Sequence, residues 1–239
     1  MINKIINETG PVTLIGGGAV GAQDLYDALA LAPICVAADS GADVAVQAGI
    51  DLAAVIGDMD SIAPATRAQI PDSKFHKIPE QMSTDFDKAL RNIAAPCIIG
   101  VGFSGKRVDH QLGVLHTLVM RPEAACIILG ADDIIFLCPR MFTLPLEPGT
   151  RVSLFPLGAV MGRSQGLEWP IEGLEFAPWG ASGTSNRATG DLHLEMDDPF
   201  MLCILPRRFL GAVTERLAGM PAPARWPARA EQYKDPPQS

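Results

Sequence analysis

The chain has 239 residues and a formal net charge of -8 at pH 7, with 48% hydrophobic and 19% charged residues. This composition supports a substantial buried core and excludes disorder over most of the length. The acidic balance, without a basic run that could follow a phosphate backbone, argues against nucleic acid as a partner.

The expected location is the cytoplasm, without a membrane partner. The start of the chain is polar and lacks the basic and apolar regions of a signal peptide. No apolar stretch reaches the length that spans a bilayer. The five cysteines have no Cys-x-x-Cys spacing and lie mostly in apolar runs, so we expect reduced, buried thiols.

The first half of the chain alternates short apolar runs with amphipathic segments. The segments predicted as strands are 12–15, 34–38, 53–56, 75–78, 97–101 and 125–129. The segments predicted as helices are 23–31, 42–48, 85–93 and 109–120. Continuously apolar strands that alternate with helices are typical of a parallel sheet covered on both faces, so we predict an N-terminal, mostly parallel α/β sandwich domain.

The pattern changes after about residue 138, where Pro and Gly become frequent and helical periodicity disappears. Turn signals separate short apolar segments at 151–155, 160–161, 167–171, 192–195 and 200–205. These segments are typical of a small antiparallel β-sandwich or barrel, and we predict a C-terminal β-sandwich domain. We therefore divide the chain into an α/β domain at 1–140, a β-sandwich domain at 141–212 and a loose Pro/Ala-rich tail at 213–239, which Trp226 could attach to the surface.

A glycine-rich turn, Gly16 to Gly21, satisfies G-x-G-x-x-G between a predicted strand and a predicted helix. Asp39 ends the second predicted strand, where a ribose-binding acid would lie. One interpretation is therefore a dinucleotide-dependent oxidoreductase. The other is a tight strand-to-helix turn that approaches some other phosphate, because a run of three glycines meets the pattern easily.

Two carboxylates follow the third predicted strand, in the segment Gly57-Asp58-Met59-Asp60-Ser61. In an open parallel sheet, ligands gather beyond the carboxyl ends of the strands. Asp58 and Asp60 are two residues apart, so in extended backbone they point the same way. Such carboxylates repel unless a cation lies between them, and magnesium prefers oxygen ligands. A turn or a helix cap is the alternative role.

The segment Ser83 to Leu90 opens a predicted helix. Thr84 and Asp87 have the spacing of a capping box, which is a structural role. Asp85 and Lys88 are three residues apart and share a helix face. This second pair offers one metal ligand and one phosphate contact, although Lys88 could also be a solvated helix residue.

A third polar cluster, Lys106 to His110, also lies between a predicted strand and a predicted helix. Lys106 and Arg107 place positive charge at a helix start, where backbone N–H groups already favour anions. Asp109 is either part of this site or an ordinary helix N-cap. His110 either orients a phosphate or forms a local hydrogen bond.

These clusters, in this order, resemble the thiamine pyrophosphokinase family. The likeness runs from about Gly16 to about Leu205, and its motifs are modest singly but specific together. The matching segments are ADSGAD at 38–43, GDMDSI at 57–62, STDFDKAL at 83–90, GKRVDHQLG at 105–113, VSLFPL at 152–157, GLEWPI at 166–171 and GTSN at 183–186.

The resemblance implies an ATP-carrying α/β domain, a C-terminal β-sandwich and a homodimer with thiamine near the subunit interface. It implies a magnesium-dependent enzyme that transfers diphosphate from ATP to the thiamine hydroxyl, giving thiamine diphosphate and AMP. The implied magnesium ligands and catalytic residues are Asp58, Asp60 and Asp85. The implied nucleotide-binding residues are Asp39, Lys88, Arg107, Asp109 and His110. The implied thiamine-pocket residues are Trp169, Ser185 and Asn186. An aromatic face suits a cationic thiazolium ring, although Trp169 could also fill the sandwich core.

The chain departs from the family pattern at three places. Where the family usually has Asp-x-Asp before its Thr-Asp pair, this chain has Glu80-Gln81-Met82, and Met82 cannot ligate magnesium. Lys106 replaces the second residue of Gly-Gly-Arg, and Arg187 follows Ser-Asn where an acidic residue is common. The first departure leaves open a non-catalytic homologue that binds nucleotide or thiamine without turnover.

Overall fold

The structure is a computed structural model that describes residues 4–105 and 107–229. Lys106 and residues 230–239 of the predicted tail lie outside the described residues. Among the described residues, no helix is both long and apolar enough to cross a bilayer. The α-helices are α1 (Ala22–Leu31), α2 (Gly41–Gln47), α3 (Pro64–Arg67), α4 (Asp85–Asn92), α5 (Val108–Met120) and α6 (Leu210–Ala218).

A single large sheet takes up most of the described strands, and two short strands pair separately. The strands are β1 (Ile6–Asn7), β2 (Val12–Ile15), β3 (Ile34–Ala38), β4 (Ala54–Gly57), β5 (Phe75–Lys77), β6 (Ile93–Ala94), β7 (Ile98–Val101), β8 (Cys126–Leu129), β9 (Asp133–Leu137), β10 (Met141–Leu144), β11 (Arg151–Pro156), β12 (Gly162–Leu167), β13 (Gly183–Met196) and β14 (Met201–Pro206). The order in the large sheet is β10-β13-β11-β14-β9-β8-β7-β2-β3-β4-β5, with β12 paired to β13. The separate pair is β1 with β6.

The N-terminal part of the sheet is parallel, in the order β8-β7-β2-β3-β4-β5, as the apolar runs predicted. Its residues alternate between two buried layers. Leu14 and Val36 pack on one face with α4 and α5, whereas Ile15 and Ala37 pack on the other face with α1 and α2. Because the strands are parallel, their carboxyl ends lie along one edge, and the polar loops after β2, β3, β4 and β7 meet there.

The antiparallel half is joined to the parallel half through one continuous path of paired strands. Strand β9 pairs antiparallel with β8 on one side and with β14 on the other, and so joins the two halves. Strand β13 pairs through its first part with β11 and through its second part with β10 and β12. The mixed α/β fold is confirmed, and β9, which precedes the predicted boundary at residue 140, pairs with β14 beyond it. The predicted segment 160–161 lies just before the observed strand β12, and 167–171 overlaps this strand only at Leu167.

The described C-terminal segment packs against the rest of the fold, so the prediction of a loose tail is wrong for these residues. Residues 213–218 of the predicted tail lie in α6. Beyond this helix, the Arg225 guanidinium donates to the Pro96 carbonyl oxygen at 3.2 and 3.3 Å. Trp226 Nε1 donates to the Cys138 carbonyl oxygen at 2.9 Å, so the predicted attachment through Trp226 is confirmed.

Candidate active site

A cleft of about 460 Å³ opens at the carboxyl edge of the parallel strands. Its walls come from the loops after β2, β3 and β7 and from the first turns of α4 and α5. This position agrees with the tendency of open parallel sheets to bind ligands beyond the ends of their strands. The residues that we predicted for the site and that line the cleft are Asp39, Asp85, Arg107, Asp109 and His110.

Close packing of the loops explains the glycine-rich turn. A Cβ atom at Gly17 would lie 2.2 Å from Ser40 Oγ, and one at Gly18 would lie 2.3 Å from the Gly102 carbonyl oxygen. The backbone N–H of Gly18 also donates to that oxygen at 2.9 Å. Glycine is therefore required where these loops approach each other, and the turn needs no dinucleotide to explain it.

Three carboxylates, from Asp39, Asp58 and Asp60, meet beside the cleft, with one oxygen of each within 4.8 Å of the others. Asp39 follows β3, and the other two follow its parallel neighbour β4. Met59 adopts a left-handed φ of 67°, so Asp58 and Asp60 meet through a turn and the extended backbone that we predicted is wrong. Within the described structure, Asp39 Oδ1 is buried without a hydrogen-bond partner. Such an oxygen needs a cation or a proton, so the cluster suits a divalent ion.

Lys88 is a buried cation that bridges two carboxylates. Its side chain is 2% exposed, and Nζ lies 3.2 Å from Asp58 Oδ2 and 3.0 Å from Asp85 Oδ1. Burial alone lowers the pKa of Lys88, but the hydrogen bonds and charges of Asp85 and Asp58 outweigh it, so the pKa lies above its ordinary value. Lys88 therefore carries its charge, and the alternative of a solvated helix residue is wrong.

Two carboxyl groups of the cluster have pKa values shifted in opposite directions. Burial by itself raises the pKa of Asp58, but the hydrogen bond and charge of Lys88 outweigh it, and the pKa lies below its ordinary value. No ion pair to Asp39 is found among the described residues, and burial, followed by the charge of Asp85, holds its pKa above the ordinary value. A bound cation would therefore favour the charged form of Asp39.

The structure groups the acids differently from the sequence prediction. We predicted Asp58, Asp60 and Asp85 as one set, whereas the compact group contains Asp39 in place of Asp85. Asp85 lines the same cleft, and its Oδ1 accepts the hydrogen bond from Lys88. Asp39 joins the group because β3 lies beside β4, and this neighbour relation is not visible in a linear motif.

The first turn of α5 carries the residues that we predicted for the phosphates. Arg107 pairs with Asp109, with distances of 3.1 Å from Nε to Oδ1 and 2.5 Å from Nη2 to Oδ2. The Arg107 guanidinium is the main cause that lowers the pKa of Asp109 to about 2. Both side chains are exposed, so separating this pair costs little and Arg107 can exchange it for an anionic ligand. His110 is also exposed on the same wall.

The three residues predicted for the thiamine pocket lie together in the antiparallel half. The side-chain amide of Asn186 is buried and forms hydrogen bonds with the backbone of Trp169. Trp169 itself is 53% exposed, so the alternative that it fills the sandwich core is wrong. Ser185 has a left-handed φ of 60°, and its backbone N–H donates to Ser153 Oγ at 3.0 Å. Within the part of the chain that the structure describes, none of the three lines the cleft.

The segment before α4 adds no carboxylate to the compact acid group of the described residues. Glu80, which we considered as a substitute ligand, pairs with Arg91 at 3.4 Å. Met82 is exposed. Gln81 Nε2 donates to Asp58 Oδ2 at 3.3 Å, a contact between distant segments that sequence reasoning missed.

Comparison with known families matches residues 25–129 to the thiamin pyrophosphokinase catalytic domain. The chain is 30% identical over 149 residues to thiamine pyrophosphokinase 3 of Oryza sativa subsp. japonica, and the match covers 54% of this chain and 56% of the relative. It is 27% identical over 153 residues to thiamine pyrophosphokinase 1 of Arabidopsis thaliana, with the same coverage. The chain thus spans about half the length of the curated relatives that it matches.

Solved structures share the fold. Thiamin pyrophosphokinase from Candida albicans aligns with a TM-score of 0.67 at 19% identity, over 82% of this chain and 89% of that chain. Yeast thiamin pyrophosphokinase aligns with a TM-score of 0.67 at 16% identity, over 91% of this chain and 93% of that chain. These comparisons do not favour the oxidoreductase alternative. The catalytic-domain match, the curated relatives and the shared fold all make the chain similar to thiamine pyrophosphokinases, which supports the resemblance that its motifs predicted.

Proposed function

We propose that the chain transfers diphosphate from ATP to the hydroxyl group of thiamine, giving thiamine diphosphate and AMP. The main observation behind this proposal is the group of Asp39, Asp58 and Asp60. It lies beside a cleft that is lined by residues of the motifs shared with thiamine pyrophosphokinases. Diphosphate transfer needs reactants held in line and phosphate charge neutralised, which a cleft with carboxylates, a buried lysine and an exposed arginine can supply.

The residues present fit a magnesium ion. The group offers three carboxylates, and the buried Oδ1 of Asp39 has no protein partner among the described residues. Oxygen donors of this kind are the ligands that magnesium prefers. Asp39, Asp58 and Asp60 would hold the ion, and Asp85 remains the further carboxylate that the family likeness suggested. When bound, magnesium neutralises phosphate charge and helps to orient the transferred group.

The chain's own cations have separate tasks in this proposal. Lys88 fixes the side chains of Asp58 and Asp85 and keeps one positive charge buried beside them. Arg107, the N-cap residue of α5, and His110, in its first turn, receive the phosphates of ATP, and the helix N-terminus favours the same anions. Asp109 pairs with Arg107 until a phosphate of the nucleotide takes the place of the Asp109 carboxylate.

In the reaction one bond from oxygen to phosphorus forms, another breaks, and one proton is transferred. The thiamine hydroxyl oxygen forms a bond to the β-phosphorus, and the bond from that phosphorus to the oxygen bridging the α- and β-phosphates breaks. AMP leaves with the bridging oxygen. The hydroxyl proton passes to Asp85, which lines the cleft and is held through its Oδ1 by Lys88.

Thiamine binding completes the proposal. We assign Trp169, Ser185 and Asn186 to the thiamine pocket, because an exposed aromatic face attracts a cationic ring. Among the described residues, these three do not line the cleft of their own chain. This supports a homodimer in which Trp169 of one protomer contacts thiamine at the cleft of its partner. The antiparallel half would then carry thiamine and the parallel half ATP. We also propose a cytoplasmic location, in keeping with the five free, buried cysteines.

The test is formation of AMP and thiamine diphosphate from ATP, thiamine and magnesium. We expect turnover in the wild type and loss of at least about 100-fold in kcat for Asp60→Ala and Asp85→Ala. Asp51→Ala is the control, since Asp51 is an exposed carboxylate on a surface ion pair. No product from the wild type refutes the function, and ATP binding without turnover would favour the non-catalytic homologue. Full activity of Asp60→Ala refutes the assigned site.

A further inference from the structure

Asp87 and Lys88 are neighbours on α4 but have different partners. Lys88 reaches toward the acid cluster, whereas the Asp87 carboxylate accepts two hydrogen bonds from the Arg121 guanidinium, at 2.7 Å from Nε and 3.1 Å from Nη2. Successive residues of an α-helix point about 100° apart. The first turn of α4 is therefore held by ion pairs on two different sides.

The geometry of the Asp87–Arg121 pair suits it to positioning. Its side chains are only 10% and 16% exposed. Two hydrogen bonds between a planar guanidinium and a planar carboxylate fix orientation as well as distance, which a single contact cannot do. Arg91 places a second cation 3.6 Å from Asp87 Oδ2. The Asp87 backbone N–H also donates to Thr84 Oγ1 at 3.2 Å, so this one residue is fixed through both its main chain and its side chain.

The pair connects the two helices whose first turns line the cleft. Asp87 belongs to the first turn of α4, and Arg121 caps the C-terminal end of α5. Elsewhere on the same turn of α4, the Phe86 ring packs against Phe103, with ring centroids 4.6 Å apart. An aromatic contact tolerates sliding, whereas a bidentate ion pair does not. The ion pair is therefore a directional contact between α4 and the end of α5, added to the apolar packing of the two helices.

We propose that Asp87 and Arg121 are positioning residues for Lys88, and that their ion pair sets where Lys88 meets Asp58 and Asp85. The inference rests on the proposed diphosphate transfer, in which Lys88 orients those two carboxylates. Neither Asp87 nor Arg121 is among the described residues that line the cleft, so both act through Lys88.

The test compares Asp87→Asn with Leu217→Ala. The first change keeps the size of the side chain and removes its charge. The second removes a side chain of α6 that is 2% exposed, and it lowers stability without touching α4 or the cleft lining. At a temperature where both variants are folded, we expect Asp87→Asn to lower kcat by about 10- to 100-fold, with each KM within about twofold of the wild type. Leu217→Ala should keep the wild-type kcat, and Asp87→Glu should regain part of the loss.

A second readout does not depend on activity. In a crystal structure of Asp87→Asn, we expect Lys88 Nζ to move out of hydrogen-bond distance of Asp58 or Asp85. Equal kcat for Asp87→Asn and Leu217→Ala, or a variant structure in which Lys88 keeps both carboxylates, overturns the positioning role. A wild-type protein that makes no thiamine diphosphate overturns the proposed function instead. Crystal structures of the wild type and of Asp87→Asn then decide the positioning role without an activity assay.

Discussion

Asn186 holds both backbone polar groups of Trp169. Its Nδ2 donates to the Trp169 carbonyl oxygen at 2.8 Å, and its Oδ1 accepts from the Trp169 backbone N–H at 3.2 Å. Asn186 is buried, whereas the Trp169 ring is about half exposed. The buried amide thus fixes the backbone under an exposed ring, an arrangement that suits recognition of a ligand better than filling of a core.

Replacing this ring should weaken thiamine binding selectively. We expect Trp169→Ala to raise the KM for thiamine by about tenfold through loss of the cation–π contact, and to leave the KM for ATP unchanged. Steady-state kinetics with each substrate varied in turn measures both values. Trp179→Ala is the matched control, since Trp179 is another exposed tryptophan of the same half. Equal thiamine KM values for the two variants would remove Trp169 from the pocket.

Removing the buried cation should damage both the fold and the reaction. Lys88→Met leaves Asp58 and Asp85 without their shared partner, so we expect unfolding free energy to fall by about 3–5 kcal/mol. We also expect kcat to fall by at least about 100-fold. Urea unfolding and the diphosphate-transfer assay measure these effects. Lys74→Met is the control, because Lys74 pairs with the exposed Asp51 and its loss should cost at most about 1 kcal/mol.

Neutralising Asp39 should stabilise the protein in the absence of magnesium. The pKa of Asp39 is raised in the folded state. At a pH above this raised pKa the carboxyl group is ionised and lowers the stability of the folded protein. At a pH below its ordinary pKa of 3.8 the group is protonated in both states, and this cost is absent. We expect Asp39→Asn to have a higher unfolding free energy than the wild type at pH 7, and this gain to vanish as the pH falls below 3.8. Thermal unfolding across this pH range, with chelator present, measures the difference. A variant less stable than the wild type at pH 7 contradicts the prediction.

Magnesium should reverse the order of stability of the wild type and Asp39→Asn. Binding to the folded state alone stabilises by mass action, by about 2.7 kcal/mol at one hundred times the dissociation constant. We expect magnesium to raise the melting temperature of the wild type and to have little effect on Asp39→Asn. Asp72→Asn serves as the control, since Asp72 is 94% exposed on the surface. An equal magnesium response in all three proteins would show that Asp39 is not a ligand.

The C-terminal segment should contribute stability without contributing to turnover. The Arg225 guanidinium donates to carbonyl oxygens of Pro96 and Leu217, so Arg225→Ala removes these part-buried hydrogen bonds. We expect a loss of about 1–3 kcal/mol in unfolding free energy and an unchanged kcat. Arg163→Ala, which removes an exposed ion pair with Glu195, should cost less than about 1 kcal/mol. A large fall in kcat for Arg225→Ala would tie this segment to the site.

The parallel half of the fold could be predicted from sequence because its signals are local. Continuous apolar runs identify β2, β3, β7 and β8, and the polar loops that follow them identify the edge where the cleft lies. Helix α6 was missed although Leu210, Val213 and Leu217 have helical spacing, because the Pro-rich sequence beyond it dominated the interpretation.

The remaining features depend on contacts between distant segments. Strand β9 pairs with β14, which lies far along the chain, so its place in the sheet has no local signature. The same holds for Asp39 joining Asp58 across neighbouring strands, and for Asp87 pairing with Arg121. Charge and spacing suggested which acids matter, but only the sheet order decides which of them meet.

The continuous sheet has a consequence for how ligands enter and leave. Strand β9 is hydrogen bonded to β8 on one side and to β14 on the other. The two halves therefore cannot rotate about a hinge unless backbone hydrogen bonds between these strands break. Any opening and closing over the cleft must therefore come from loops, or from the partner protomer of the homodimer that we propose. For the same reason, a fragment cut at residue 140 would keep β9 with one long unpaired edge, and neither half should survive alone as a folded unit.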